Sequence, residues 1–128
     1  MTRKGRCECG AVTYQIAGAI SAPVACHCSQ CRRTSGHYWA ASQVANSDLK
    51  LTNATGLKWF RSSDTARRGF CTGCGASLFW EMDGEGKTSV AAGTLDGPTG
   101  LTTSPHIFVA DKGDYYDLPP GVIARDRV

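Results

Sequence analysis

The chain has 128 residues, of which 41% are hydrophobic and 20% charged, and its formal net charge is +3 at pH 7. This length and composition predict a single globular domain over residues 1–128, with a modest core that metal sites can reinforce. Basic residues are scattered among acidic ones, which argues against nucleic-acid binding and against a polybasic membrane anchor. No apolar run approaches the roughly 20 residues that cross a bilayer, and no apolar export segment follows the first residues, so the expected location is the cytoplasm.

Frequent glycine and proline residues, 15 and 5 in number, predict short strands rather than long helices. Strands are predicted at residues 11–16, 49–52, 57–60, 76–81, 88–92 and 107–109, and extended chain at 22–26. The turn at 82–86 is predicted to join its two flanking strands into a hairpin. One short helix is predicted over residues 29–35, with Ser29 as its N-cap and Gly36 after its end. The stretch from Leu118 onward is expected to be a surface tail.

Seven cysteines are the strongest signal in the sequence. They occur in three groups, Cys7-Glu8-Cys9, Cys26-His27-Cys28-Ser29-Gln30-Cys31 and Cys71-Thr72-Gly73-Cys74. Gaps of one or two residues bring sulfurs close enough to share a metal ion, and an odd number of thiols cannot all pair as internal disulfides. A soft, sulfur-rich, tetrahedral site favours zinc. The sequence therefore predicts two zinc ions per chain.

A closed tetrahedral site needs four ligands, so seven sulfurs divide into a set of four and a set of three. The predicted structural zinc site comprises Cys7, Cys9, Cys71 and Cys74. The second pair forms a knuckle, in which Gly75 lets the backbone curl so that amides face the thiolates. Joining the two pairs closes a loop of about 60 residues, which removes much entropy from the unfolded chain.

The remaining sulfurs are predicted to form the catalytic zinc site, with ligands Cys26, Cys28 and Cys31. Three protein ligands and an open fourth position are the pattern of catalytic rather than structural zinc. In extended chain His27 projects to the opposite face, where it is a candidate proton shuttle or a supporting core histidine. In the alternative interpretation His37 or His106 closes the site. The protein would then be a non-catalytic, zinc-stabilised binding module with two structural centres.

The charge of a three-thiolate site indicates its chemistry. Three thiolates and a zinc dication sum to roughly −1, so the ion is a poor Lewis acid for ionising water. Hydrolysis is therefore not the expected reaction. A soft centre favours sulfur, and a thiol that coordinates zinc is deprotonated, so the expected substrate is a small thiol that becomes a nucleophile.

Three blocks of sequence resemble the glutathione-dependent formaldehyde-activating enzyme family, whose domain also occurs in centromere protein V. They are GRCECGAV at 5–12, CHCSQCRRTSG at 26–36 and RGFCTGCG at 68–75, and AGTLD at 92–96 and PHIF at 105–108 are also similar. The resemblance implies a mainly β fold of the β-tent type, with short antiparallel strands around a zinc-ribbon-like centre and at most one or two short helices. It also implies the structural and catalytic zinc ligand sets given above.

The activity that the resemblance implies is condensation of glutathione with formaldehyde to S-(hydroxymethyl)glutathione, classed as carbon-sulfur lyase activity. Arg32, Arg33, Arg67 and Arg68 are candidates for a glutathione carboxylate, although solvated or structurally paired arginines are the more common outcome. The chain starts six residues before Cys7 and is expected to lack the N-terminal extension of the founding enzyme. Part of a glutathione-binding surface is expected to be missing with it. The sequence leaves the oligomeric state open, a homodimer included.

Overall fold

A computed structural model describes residues 2–128 and shows a mainly β protein, with 39% of residues in strands and 13% in helical segments. The strands, numbered in chain order, are β1 Arg3–Arg6, β2 Thr13–Ile16, β3 Val24–Cys26, β4 Trp39–Ala45, β5 Leu49–Asn53, β6 Leu57–Arg61, β7 Ala66–Cys71, β8 Ser77–Met82, β9 Lys87–Ala91 and β10 His106–Ile107. One α-helix, α1, spans Ser29–Ser35, and single 3-10 turns lie at Asn46–Asp48, Ala92–Thr94 and Val109–Asp111. The predicted fold class, a mainly β fold of β-tent type with a short helix, is confirmed. Among residues 2–128 no helix is long and apolar enough to cross a membrane.

Contacts between residues divide the chain into two compact units. The first unit comprises the chain through Ser21 together with Ser42–Gly100, and the second comprises Ala22–Ala41 and Leu101–Val128. The expectation of a single domain over residues 1–128 stays a prediction.

The first unit contains antiparallel strand pairs around a hydrophobic core. One sheet has the order β1-β2-β5, and the other strands of the unit follow the order β4-β9-β8-β7-β6. The predicted hairpin of β8 and β9 is present, with Phe79 opposite Val90. Inward-facing residues of these strands pack together because successive side chains of a strand alternate between its faces. The buried core cluster comprises Cys7, Val12, Tyr14, Ile16, Val44, Cys71, Leu78, Phe79 and Val90.

The second unit is built on β3, which pairs antiparallel with the first residues of β4 and parallel with β10. The predicted surface tail is largely exposed, but it is hydrogen-bonded to β10. The His106 N–H donates to the Ile123 carbonyl at 2.8 Å, and the Arg125 N–H donates back to the His106 carbonyl at 2.9 Å. The last predicted strand is shorter than expected, because Phe108 has φ 53° and ψ 38° and Val109 begins a 3-10 turn.

Three strands were not predicted, namely β1, β4 and β7. Two of them lack the apolar pattern of a strand because they are rich in charged residues: β1 has the sequence RKGR, and β7 contains two arginines. In β7 the charge is accommodated by a cross-strand pair, because Arg67 lies opposite Glu81 with 2.8 Å between guanidinium and carboxylate. In β4, the buried positions Trp39, Ala41, Ser42 and Val44 do not alternate strictly with exposed ones, and most of its residues are small, so the sequence lacks a clear strand pattern.

Candidate metal centres

The first unit brings together the sulfurs of Cys7, Cys9, Cys71 and Cys74. These four atoms all lie within 4.8 Å of one another. The Sγ atoms of Cys7 and Cys9 are 3.8 Å apart, and those of Cys9 and Cys71 are 3.6 Å apart. Four sulfurs placed about 2.3 Å from a tetrahedral zinc ion are separated by about 3.8 Å. This donor set therefore fits a four-coordinate metal ion.

Tight turns place the two halves of this cluster. Cys7 and Cys9 lie in the loop between β1 and β2, where Gly10 adopts φ 83°. At the knuckle, Gly75 adopts φ 77°, which favours glycine, and its N–H donates to the Cys71 carbonyl at 2.7 Å. Close packing adds a second constraint, because a Cβ on Gly56 would lie 2.8 Å from the Cys71 sulfur. The local sequence thus provides both the turns and the space that four converging sulfurs need.

Backbone amides support the thiolate form in this cluster. The Val12 N–H donates to the Cys7 sulfur at 3.3 Å, and the Cys7 N–H donates to the Val12 carbonyl at 3.0 Å. Burial raises the pKa of Cys7, but hydrogen bonds, chiefly from Val12 and then from Cys71, lower the pKa below its ordinary value. A thiolate that accepts such bonds is a better metal ligand than a buried thiol.

The second unit brings together the sulfurs of Cys26, Cys28 and Cys31, which also lie within 4.8 Å of one another. Cys26 ends β3, Cys28 precedes α1 in extended conformation and Cys31 lies on the first turn of the helix. The N-cap is Cys28 rather than the predicted Ser29, because the Cys28 sulfur accepts the Cys31 N–H at 3.3 Å. An extended pair followed by a helical turn therefore places three sulfurs on one site.

The three thiols of this triad stabilise negative charge. Hydrogen bonds from Cys26 and then from Cys31 lower the pKa of Cys28 to about 2. The reciprocal bond to Cys28 raises the pKa of Cys26 strongly. Without a metal ion, these hydrogen bonds therefore favour the thiolate at Cys28 and the thiol at Cys26.

Neither histidine that could have completed the triad does so in the described part of the chain. The group of ligand atoms within 4.8 Å of one another comprises the three sulfurs alone. His106 has its Nδ1 atom 2.8 Å from the Nε2 atom of His27. The ring of His37 packs instead against Tyr116, with 4.3 Å between ring centroids. The triad therefore presents three ligands from residues 2–128.

A family model described as glutathione-dependent formaldehyde-activating enzyme matches residues 2–111, and this range includes all seven cysteines. The chain belongs to this family. It is 28% identical over 119 residues to an uncharacterized lyase of Schizosaccharomyces pombe, an alignment that covers 90% of this chain and 84% of the relative. A crystal structure of a Rhodobacter sphaeroides protein has a similar fold, with a TM-score of 0.65 and 25% identity, and the match covers 79% of this chain and 99% of that one.

The histidine inside the CHC motif lies between two cysteines of the triad in sequence. His27 is 1% exposed, its Nδ1 atom is hydrogen-bonded to the Tyr116 hydroxyl and its Nε2 atom to Nδ1 of His106. Burial, followed by the charges of His106, Lys112 and His37, lowers the pKa of His27 to about 4. Of the two predicted roles, the geometry matches a supporting, buried histidine. Sequence reasoning missed Tyr116 because it lies 89 residues from His27 in a segment without a strand or helix pattern.

The four candidate arginines fall into different surroundings. Arg67 is structurally paired, as it bonds Glu81 through Nε at 2.9 Å and stacks 3.8 Å above the ring of Trp59. Arg68 is buried on β7, whereas Arg32 and Arg33 lie in the last turn of α1, in the same unit as the triad. The helix pair thus shares a unit with the triad, whereas Arg67 and Arg68 belong to the first unit.

Proposed function

We propose that the protein is a zinc-dependent, carbon-sulfur lyase-like enzyme that activates a small thiol, glutathione or a similar compound, for addition to formaldehyde or another small electrophile. Its reaction would resemble that of S-(hydroxymethyl)glutathione synthase. The observation that carries this proposal is the triad of Cys26, Cys28 and Cys31, which offers three sulfurs and no fourth ligand from the described residues. Family membership over residues 2–111 supports the same assignment.

The donor chemistry of the triad fits zinc and selects the substrate. Three thiolates place roughly one net negative charge on the occupied site, so this site favours a soft sulfur ligand over water. Zinc, when bound, supplies the ability to keep a substrate thiol deprotonated at neutral pH. The chain itself contributes the geometry, with Cys28 fixed as the N-cap of α1 and Cys26 fixed at the end of β3.

The proposed reaction is the addition of a thiol to a carbonyl group. The thiol loses its S–H proton, an S–C bond forms to the carbonyl carbon, and the C=O double bond becomes a C–O single bond. The released proton reaches the new oxygen through solvent and gives a hydroxymethyl thioether. The chain needs no oxidant or reductant for this step, which agrees with a lyase rather than an oxidoreductase.

The other four cysteines, Cys7, Cys9, Cys71 and Cys74, are proposed to hold a second, structural zinc ion. Two of them belong to the hydrophobic core of the first unit, and the sulfur spacing suits a closed tetrahedron. We therefore propose two zinc ions per chain. Seven free thiols suit a reducing compartment, so the proposed location is the cytoplasm.

Exchange NMR tests the proposal by measuring the rate of hemithioacetal formation between glutathione and formaldehyde, with and without zinc-loaded protein. The wild-type protein is expected to accelerate the exchange. Cys28→Ser is expected to abolish the acceleration and to lower the zinc content from two ions towards one. Ser29→Ala, an exposed neighbour on α1, is the matched control and should retain both.

Contrary results would favour the binding module instead. The enzyme proposal is wrong if zinc-loaded wild-type protein accelerates addition of none of glutathione, cysteine and 2-mercaptoethanol. X-ray absorption spectra showing a nitrogen ligand at one zinc ion would identify a histidine as the fourth ligand. In that case both centres would be structural.

A further inference from the structure

The main chain around the triad is fixed on one side by the β10 segment. The Ala25 N–H donates to the Pro105 carbonyl and the His27 N–H donates to the Ile107 carbonyl, each at 3.0 Å. The backbone on both sides of Cys26 is thus anchored. The side chain of His27, between the two cysteines, gives this segment a further point of attachment.

That side chain, His27, is held at both ring nitrogens. A neutral imidazole has one donor and one acceptor, so two patterns satisfy it. In the first pattern the Tyr116 hydroxyl donates to Nδ1 of His27, and Nε2–H of His27 donates to Nδ1 of His106. In the second pattern Nδ1–H of His27 donates to the Tyr116 hydroxyl, and Nδ1–H of His106 donates to Nε2 of His27. Both patterns use each ring nitrogen once, so both hold the His27 ring in the same orientation. The rings also stack, with centroids 5.1 Å apart for His27 and His106 and 5.5 Å apart for His27 and Tyr116.

Both partners of His27 are themselves fixed by the segment that follows residue 111. His106 exchanges backbone hydrogen bonds with Ile123 and Arg125 at 2.8 and 2.9 Å. Lys112 donates to the carbonyl of Tyr116 and lies 4.4 Å above the centre of its ring.

We propose that Tyr116 and His106 are positioning residues that clamp His27 and so preset the sulfurs of Cys26 and Cys28 for a metal ion and its thiol substrate. Of its two members, Tyr116 lies beyond residues 2–111, the range that the family model matches, and His106 lies within it. The inference rests on the proposed function only in requiring that the triad binds metal. Groups that orient metal ligands commonly change metal affinity by about 10–100-fold when they are removed.

Metal release tests the clamp independently of activity. Tyr116→Phe keeps the ring and removes the hydroxyl that bonds His27, so zinc should leave the triad about 10-fold faster. Zinc release from the zinc-loaded chain would be followed with a chromogenic chelator. Cys28→Ser lacks the triad site, so the release kinetics of this variant identify the kinetic phase of the four-cysteine cluster. Tyr115→Phe makes the same change at the exposed neighbour, which is 56% exposed, and should release zinc at the wild-type rate.

A spectroscopic signature and a rescue separate positioning from general destabilisation. With cadmium-113 in both sites, Tyr116→Phe should shift or broaden the triad resonance and leave the four-cysteine resonance in place. His106→Leu should behave like Tyr116→Phe. His106→Asn should largely restore the wild-type rate, because an asparagine amide offers a polar atom near the position of Nδ1.

Each outcome decides a separate question. Wild-type release rates and an unmoved triad resonance in both Tyr116→Phe and His106→Leu would overturn the clamp and leave the lyase proposal intact. Equal acceleration of release from both clusters would also overturn it, because it would indicate general loosening of the chain. Faster release from the triad alone, in a protein that does not accelerate thiol addition, would uphold the clamp and refute the enzyme.

Discussion

The two cysteine clusters are supported by different kinds of surroundings. In the four-cysteine cluster, Cys7 and Cys71 are 1% and 0% exposed and pack in the hydrophobic core beside Tyr14 and Phe79. The triad cysteines are not members of that core cluster, and hydrogen bonds hold their surroundings, at Cys28 from a helix N–H and around His27 from other polar rings. A ligand that is also a core residue makes metal binding part of folding. A ligand held through side-chain hydrogen bonds can be adjusted without unfolding the chain.

The largest expected effect follows from losing a core ligand. Cys71→Ser removes a sulfur from the four-cysteine cluster and leaves a poorly matched hydroxyl in the core. It should fail to fold or lose more than about 4 kcal/mol of stability, as expected for loss of a structural metal. Cys28→Ser makes the same change in the triad and should remain folded with a much smaller loss. Thermal melts of the two zinc-loaded variants would measure the difference.

Zinc content gives the control for this comparison. Folded wild-type protein should contain two zinc ions per chain by elemental analysis, and folded Cys28→Ser should contain one. If the two variants melted at the same temperature, the division into a folding cluster and an adjustable triad would be wrong. A wild-type value of one ion or fewer would remove the second site.

The sequence was sufficient to place the sulfurs in two groups because most of that information is local. A gap of two residues keeps Cys71 close to Cys74, and the extended segment before a short helix keeps Cys26 close to Cys28. Neither proximity depends on the rest of the fold. Pairing the first and last cysteine groups needed one further argument, the need of a tetrahedral ion for four ligands. The structure brings together the same two sets of sulfurs.

Long-range placement could not be predicted in the same way. Tyr116 and His106 lie 89 and 79 residues from His27, and no periodic pattern links them to it. The strand β7 was not predicted for a related reason. Arg67 suggests an exposed loop in the sequence, and only the fold places Glu81 opposite it on β8. In both cases a polar residue is accommodated by a partner that the fold supplies.

A smaller effect is expected from crowding the four-cysteine cluster without removing a ligand. Gly56→Ala would place its Cβ 2.8 Å from both the Cys71 sulfur and the Ala11 Cβ, so the cluster or the loop must shift. We expect a loss of about 1–3 kcal/mol, typical of overpacking, in urea unfolding of the zinc-loaded protein. Gly93→Ala is the matched control, since a Cβ there meets nothing within 4 Å. Equal stability of the two variants would show that the packing around Cys71 tolerates movement.

The smallest effect compares one chemical change in the two regions. Tyr14→Phe removes a buried hydroxyl that donates to Thr94 at 2.6 Å, while Thr94 donates onward to the Ala91 carbonyl. We expect a loss of about 1 kcal/mol in unfolding free energy and no change in zinc release from the triad. Tyr116→Phe also removes a hydrogen bond, to the buried His27, and should cost a similar amount of stability, but it should in addition speed zinc release from the triad. If both variants sped that release, or neither did, the distinction between the two regions would be lost.

The pH dependence of the Tyr14→Phe difference tests whether this hydroxyl lies in the core environment that the four-cysteine cluster shares. Burial raises the pKa of Tyr14 from 10 to about 12. Below pH 10 the phenol is neutral in both the folded and the unfolded chain, so its contribution to stability is fully present. Between pH 10 and 12 only the unfolded chain ionises, and that contribution is lost as the pH rises. Phenylalanine does not ionise. The difference in unfolding free energy between the wild-type protein and Tyr14→Phe, measured in urea, should therefore become smaller from pH 9 to pH 11. A constant difference across that range would mean that Tyr14 ionises as it does in water.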